Sequence, residues 1–364
     1  MPNHWLELDR EALRHNARQI AALVAPARLM PVVKANHYGA GAAPIVQALE
    51  AQGVDAFAVA AVREAIDLRA AGVRGRIVVL TYFDRDDADA ILVHRIEPVV
   101  FTTESAGWLA DRAETTRQRA RVWVKVDTGL GRLGVPFGDA ADFARATAKR
   151  SGIEIVGLLS TLAENPERTR LQMSRLTTVR DQLRDLGALT LSLGSTQGVL
   201  TVPESALDLA RPGIALLGVV PHPERLDPAI VERVALRPIV TWKARVAYVK
   251  RVPEGEQVGY GVRPPVTRET TVATLAVGWA DGYHQTLGGV GHVLLRGQRR
   301  PIIAMSANST LVDAGDAGAS IGDEAVLLGR QGNNRIAVDE IAQVIGSSYR
   351  VLAGIPAAAP RIMR

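Results

Sequence analysis

The chain contains no cysteine. Disulfides, thiolate metal sites and a cysteine nucleophile are therefore excluded. No apolar run approaches the roughly 20 residues needed to cross a bilayer, so no membrane partner is expected. The opening Met-Pro-Asn-His-Trp-Leu-Glu-Leu-Asp lacks the basic and apolar regions of a secretion signal, and a cytoplasmic protein is the expectation. Aromatic residues make up only 4% of the chain. The net charge is +5, but basic residues are scattered among acidic ones without a Lys/Arg-rich run. Few rings to stack bases and no basic stripe argue against a nucleic-acid partner. The seven histidines show neither HxxxH nor HExxH spacing, so no metal is expected.

Lysine is the most informative scarcity. It occurs only at 34, 125, 149, 243 and 250, so 38 of the 43 basic residues are arginine. Arginine serves wherever a plain positive charge is wanted. A lysine inside an apolar strand then stands out, because Lys can lose its proton and form a Schiff base and Arg can do neither.

What is present reads as α/β followed by β. A length of 364 residues with 47% hydrophobic content points to two domains. Short β-rich runs fall at 28–35, 56–61, 76–81, 96–102, 121–127, 153–161, 189–195 and 207–218, with amphipathic helical stretches between them, for example 11–24, 104–117 and 168–186. Only 196–202 fills the last gap. Eight alternating units predict a (β/α)8 barrel. An open doubly wound sheet is the alternative, weakened by the lack of GxGxxG after the first strand. Residues 221–228 read as a linker. Beyond it, the runs 239–252, 270–279, 292–305 and 324–328 are short, β-branched and broken by Gly/Pro turns, the pattern of a mainly-β domain. The boundaries are set at 1–230 and 231–364, with the first few residues open to joining the β-domain.

Barrel enzymes carry their functional groups at the C-terminal ends of the strands, often with a phosphate held after strands 7 and 8. Lys34 ends strand 1 in Pro-Val-Val-Lys-Ala-Asn-His-Tyr-Gly. Arg132 follows strand 5, Ser195 ends strand 7 beside Gly194, and Arg211-Pro-Gly-Ile closes strand 8. The plainer alternative is a strand-end charge and turn glycines. In Val122-Trp-Val-Lys-Val-Asp127 the valines share one face and Trp123, Lys125 and Asp127 the other. With the valines toward the helices, Lys125 points into the barrel near Arg132, where two buried cations are costly. A Lys125–Asp127 pair or a surface placement is the alternative.

These residues resemble alanine racemase. The resemblance rests on Val33-Lys34-Ala35-Asn36 with Tyr38-Gly39, Lys125-Val-Asp-Thr-Gly-Leu-Gly-Arg132-Leu-Gly, Arg211-Pro-Gly-Ile214, Gly259-Tyr260-Gly261, Ala280-Asp-Gly282 and Ser348-Tyr349. Trp5-Leu-Glu-Leu-Asp and Leu13-Arg-His-Asn fit as well. The matches run in order over nearly the whole chain. The resemblance implies a barrel plus a C-terminal β-domain, and a homodimer with shared active sites. It implies pyridoxal 5′-phosphate bound covalently to Lys34, and an amino acid as substrate. Tyr38, Ser195, Gly213, Ile214 and Tyr349 match positions that hold the phosphate. Hydroxyls and backbone N–H groups suit a dianion there. Arg211 matches the arginine facing the pyridine nitrogen, which it leaves unprotonated, weakening the ring as an electron sink. Arg132, Met305 and Tyr260 match the substrate side, and Lys125 a lysine that is often carbamylated.

The departures concern proton transfer. The family's second base is the first tyrosine of Gly-Tyr-Ala-Asp-Gly; here the motif is Gly278-Trp279-Ala280-Asp281-Gly282. Indole only donates. Thr-His-Phe becomes Ser160-Thr161-Leu162, Met-Asp becomes Met305-Ser306, Asn-Ser becomes Gly194-Ser195, and the usual His is Ala40, with a histidine at His37 instead. Tyr283 and His284, just past the lost tyrosine, are either its replacements or surface turn residues. The reading adopted is an amino-acid racemase, an isomerase, with altered second base and substrate. Left open are one-base chemistry on the same cofactor (aldol cleavage, decarboxylation or transamination) and a non-catalytic binder of pyridoxal phosphate.

Overall fold

The structure, a computed structural model, describes residues 2–261, 264–315 and 318–364; Met1, counted above with the barrel, lies outside them. The chain forms two compact units. One comprises Leu13–His37 and Ala42–Arg237, the other Met1–Ala12, Tyr38–Gly41 and Pro238–Arg364. Among the described residues no helix is long and apolar enough to cross a membrane.

The first unit is a (β/α)8 barrel. Parallel ladders join Ala56–Val59, Arg76–Val79, Ile96–Val100, Ala120–Asp127, Ile153–Leu159 and Thr190–Ser192 in that order. Leu209–Ala210 pairs in parallel with Arg28–Leu29, and bridges Val32–Ala58 and Ser195–Arg211 complete the ring. Its interior is packed, not hollow, with Met30, Val32, Ala58, Val78, Val99, Trp123, Leu159 and Leu209 contributed by seven of the strands or their extensions. At the strands' N-terminal ends Glu97 accepts from Arg76 Nη2 at 2.8 Å, Trp123 Nε1 at 2.9 Å and Arg121 Nε at 3.0 Å.

Helix starts follow local chemistry. Thr102 caps Thr103–Thr116 by accepting from Ser105 N at 3.1 Å. Asn165 caps Pro166–Gln182, which places proline in the first turn. The short gap 196–202 holds a helix, Thr196–Thr201.

Two expected strands end early. The run 28–35 pairs only through Arg28–Leu29 and the bridge at Val32, and from Lys34 the chain enters a left-handed turn. Ala35, Asn36, His37 and Tyr38 have φ of 52°, 52°, 50° and 53°. The run 207–218 forms a strand only at Leu209–Ala210, with isolated bridges at Leu207 and Arg211. Pro212 has no N–H to continue the ladder, and Ile214–Leu217 winds into a 3-10 turn.

The second unit is mainly β, a nine-stranded sheet that also contains the N-terminal strand. His4–Leu8 lies antiparallel to Val240–Val252 and parallel to Arg361–Met363. The expected run 292–305 is a hairpin, His292–Leu295 with Gln298–Met305, turning at Arg296 and Gly297, both at positive φ as a type I′ turn requires. The run 270–279 ends at Leu275, because Gly278 and the 3-10 turn Trp279–Asp281 follow. An added Cβ at Gly278 would sit 2.3 Å from Ala307 O, so only glycine fits there.

Candidate active site

In the barrel unit, the C-terminal rim gathers four cationic side chains. Lys34 stands solvent-accessible at the end of its strand, yet crowding by neighbouring atoms lowers its pKa, with further lowering by Arg132 and Arg211 and opposition from Glu64 and Glu164. Lys125 is buried and donates to Leu80 O at 2.5 Å. Burial, then the charges of Arg211, Arg132 and Lys34, bring its pKa down to about 8. The inward placement of Lys125 near Arg132 is therefore what the strand adopts. Asp127 instead folds onto the loop after it, accepting from the N–H groups of Gly129, Leu130 and Gly131.

Arg211 is buried and bonded to neutral groups: Ser192 Oγ at 2.7 Å, Ser160 O at 2.5 Å and Leu193 O at 3.1 Å. Burial lowers it to about 10, so it remains a cation at neutral pH. Among the described residues no carboxylate lies within ion-pair distance of Lys34, Lys125, Arg132 or Arg211. A rim with this much unpaired positive charge is built for anions.

Ser195 accepts from Gly198 N at 3.2 Å and donates to Glu164 Oε1 at 3.3 Å. Gly213 N donates to Thr196 Oγ1 at 2.9 Å, and Ile214 is buried beside it. Beneath them runs a network of hydroxyls and an amide: Ser160 Oγ and Thr128 Oγ1 at 2.7 Å, with Gln172 Nε2 donating to Thr128 Oγ1 at 3.1 Å. His37 is buried, its Nε2 3.3 Å from Gly213 O, and burial lowers its pKa to about 4. It is neutral at physiological pH.

In the β-unit, Tyr38 and Tyr349 bring their rings to 5.6 Å. Trp279 is 49% exposed, and its backbone N–H donates to Ser306 O at 3.1 Å, next to the buried Met305. Tyr260 is 81% exposed. Tyr283 is no surface turn residue; it is fully buried. His284 is half-buried, its Nδ1 2.7 Å from Thr286 Oγ1.

Three features of the rim went unread in the sequence: Glu64, Glu164 and the Thr128–Ser160–Gln172 network. Glu64 had a signal, being an acidic residue in the first turn of the helix Val62–Ala70. The others touch partners 31 to 44 residues away, a separation no local pattern encodes.

The alanine racemase N-terminal domain model matches residues 8–221, and the C-terminal domain model matches residues 239–363. The chain belongs to the alanine racemase family. It is an alanine-racemase-like enzyme, an isomerase. An alanine racemase of Syntrophobacter fumaroxidans is 36% identical over 98% of this chain and 96% of its own. An alanine racemase structure from Clostridium difficile superposes with a TM-score of 0.93 at 26% identity, covering 100% of this chain and 96% of that one. An alanine racemase from Bartonella henselae, solved with covalently bound pyridoxal phosphate, superposes at 0.84 with 26% identity and full coverage of both chains.

Proposed function

We propose that this alanine racemase family member binds pyridoxal 5′-phosphate on Lys34 and acts in the cytoplasm as an amino-acid racemase with a changed second base and substrate pocket. One observation carries the reading: a solvent-accessible amine of lowered pKa amid cations that form no ion pair with a carboxylate among the described residues. The donor set fits the group. Lys34 offers an amine that loses its proton more readily than an ordinary lysine, as imine formation requires. Ser195, Gly213 and Ile214, with Tyr38 and Tyr349, would hold the phosphate. Arg211 would face the ring nitrogen as a cation that keeps its proton.

When bound, the cofactor supplies a conjugated ring that draws electron density away from the substrate's Cα. The chain's own residues do the rest. Arg132, an exposed cation of the rim, is suited to the substrate carboxylate. Lys34 takes or gives the Cα proton on its own face. Trp279 cannot accept one, so the opposite face lacks the usual base. That same observation favours a second reading, a one-base reaction such as aldol cleavage, decarboxylation or transamination. The active unit is taken to be a homodimer in which Trp279, Met305 and Tyr260 serve the partner's barrel.

The experiment is spectroscopic. Protein saturated with pyridoxal phosphate should be yellow, and borohydride should fix the cofactor to Lys34. Lys34→Arg should keep the charge and stay colourless, since guanidinium forms no imine. A wild-type protein that stays colourless overturns the reading. Amino acids in heavy water then separate racemisation, one-face exchange and cleavage.

A further inference from the structure

Directly after Lys34 the backbone does something that its residues do not favour. Ala35, Asn36 and His37 occupy the left-handed region without a glycine among them, a conformation that persists only where surroundings enforce it. The enforcing contacts within the barrel unit can be named. His37 N donates to Val33 O at 2.8 Å, Asn36 Oδ1 accepts from Ala42 N at 2.8 Å, and His37 Nε2 lies 3.3 Å from Gly213 O. None of these holds Ala35, the residue bonded to Lys34. That N–H goes to a carboxylate 29 residues away: Glu64 Oε1, at 2.5 Å.

We propose that Glu64 is the positioning residue for Lys34, anchoring the left-handed turn through the Ala35 N–H while its other oxygen is fixed by the strand-to-helix turn at Ala60 and Ala61. Glu64 Oε2 accepts from Ala60 N at 2.8 Å and from Ala61 N at 3.1 Å. The carboxylate thus staples the end of strand Ala56–Val59 to the end of the Lys34 strand. Three N–H donors on two oxygens hold the carboxylate in place, and the helix Val62–Ala70 supplies it from its first turn. Glutamine cannot replace it, because one oxygen and an NH2 group cannot accept at both ends. Glu64 is also the strongest negative charge acting on the Lys34 amine. One side chain therefore both anchors the backbone beside the amine and opposes, by its charge, the lowering that burial and Arg132 impose on the amine's pKa.

This inference rests on the reading of Lys34 as the cofactor lysine, but its test need not. Only five lysines exist, so the rate at which an amine reagent labels each can be followed by peptide mass spectrometry across pH in the cofactor-free protein. Lys149 and Lys250 serve as internal references. In Glu64→Gln the labelling midpoint of Lys34 should move to lower pH, since a charge that raises its pKa has gone. Glu64→Asp should bring the midpoint back toward wild type. A purely structural role predicts the opposite, a rise toward an ordinary lysine as the turn opens to water; that result, or no change, overturns the proposal.

Cofactor loading gives the second readout. Glu64→Gln should slow development of the yellow colour, and adding Ala35→Gly should restore much of the rate, because glycine enters the left-handed region freely. The double variant also keeps the test open if Glu64→Gln alone does not fold. Failure of the second variant to restore loading, with folding intact, counts against the anchoring role. If no variant, wild type included, takes up the cofactor, the reading of Lys34 fails while the labelling result on Glu64 still stands.

Discussion

The ring of Tyr283 stands edge-on to Trp242, with centroids 5.4 Å apart and planes at 81°. Its hydroxyl is buried and has no hydrogen-bond partner among the described residues. Burial, and then the charge of Glu340, push its pKa far above the ordinary tyrosine range. A phenol held neutral in a core cannot take a proton from a substrate, so Tyr283 is unsuited to act as a second base. Tyr283→Phe should leave Cα proton exchange unchanged. It should also hold or raise the melting temperature, since an unpaired buried hydroxyl costs about 1–3 kcal/mol. Calorimetry and exchange in heavy water check both, and a large loss of exchange would contradict the assignment.

Alanine racemisation by the wild-type enzyme should be poor, and Trp279→Tyr should raise it. Inversion needs a proton to leave one face and another to arrive on the opposite face. On the proposed reading Lys34 serves one of them. Loss of a general base typically costs about 10²–10⁴-fold. Recovery should be partial, because the family's supporting histidine is Thr161 here. Polarimetry with L- and D-alanine reads the outcome. Efficient wild-type racemisation, with Trp279→Phe no slower, would place the second base elsewhere.

Lys125 should take up carbon dioxide as a carbamate. Its pKa of about 8, set by burial and then by Arg211, Arg132 and Lys34, leaves roughly a tenth of it neutral at pH 7. Only the neutral amine reacts, and the product is an anion among those same cations. Adduct formation should therefore rise as pH passes upward through about 8, and vanish in Lys125→Arg. Carbon-13 spectra of protein equilibrated with labelled carbon dioxide decide it; no carbamate signal at any pH would sink the idea.

Glu97 should be a main support of the barrel's N-terminal end. Burial alone would raise its carboxyl, but Arg76, Trp123 and Arg121 outweigh burial and hold it below the usual range. A depressed pKa contributes stability above the unfolded value of about 4.3, and that contribution is lost as pH falls through the lower folded value. Glu97→Gln should cost about 3 kcal/mol near pH 7, the lower end for breaking a buried pair, because both arginines reach solvent. The denaturation midpoints of variant and wild type should converge as pH falls through the lowered folded value of Glu97. A constant gap across pH would show that packing, not charge, is responsible.

Much of the fold was legible because period-2 apolar runs and their spacing report burial directly. Lys34 stood out for a chemical reason: in a chain so rich in arginine, a lysine at a strand end is a cation that is able to lose its proton. The left-handed turn was not legible. Ala35, Asn36 and His37 carry no glycine, and the contacts that impose the turn come from Glu64 and Gly213, far along the chain. His4–Leu8 was hidden for the same reason, since its partners lie at Val240–Val252 and Arg361–Met363. Residues such as Trp279 announced a departure in chemistry only because a motif surrounded them.

The division of the chain bears on how such enzymes can be recombined. The polypeptide crosses between units at Ala12/Leu13, His37/Tyr38, Gly41/Ala42 and Arg237/Pro238. The segment Tyr38–Gly41 thus belongs with the C-terminal residues although barrel sequence flanks it on both sides. A Cβ at Gly39 would fall 1.8 Å from Leu352 O, and Arg361 Nη2 donates to Gly39 O at 2.7 Å. A chimera joined only near residue 237 would import a foreign Tyr38–Gly41 against a resident Leu352 and Arg361. The gene has a seam there, but the molecule has no cut line, and a viable exchange must carry those four residues with the C-terminal half.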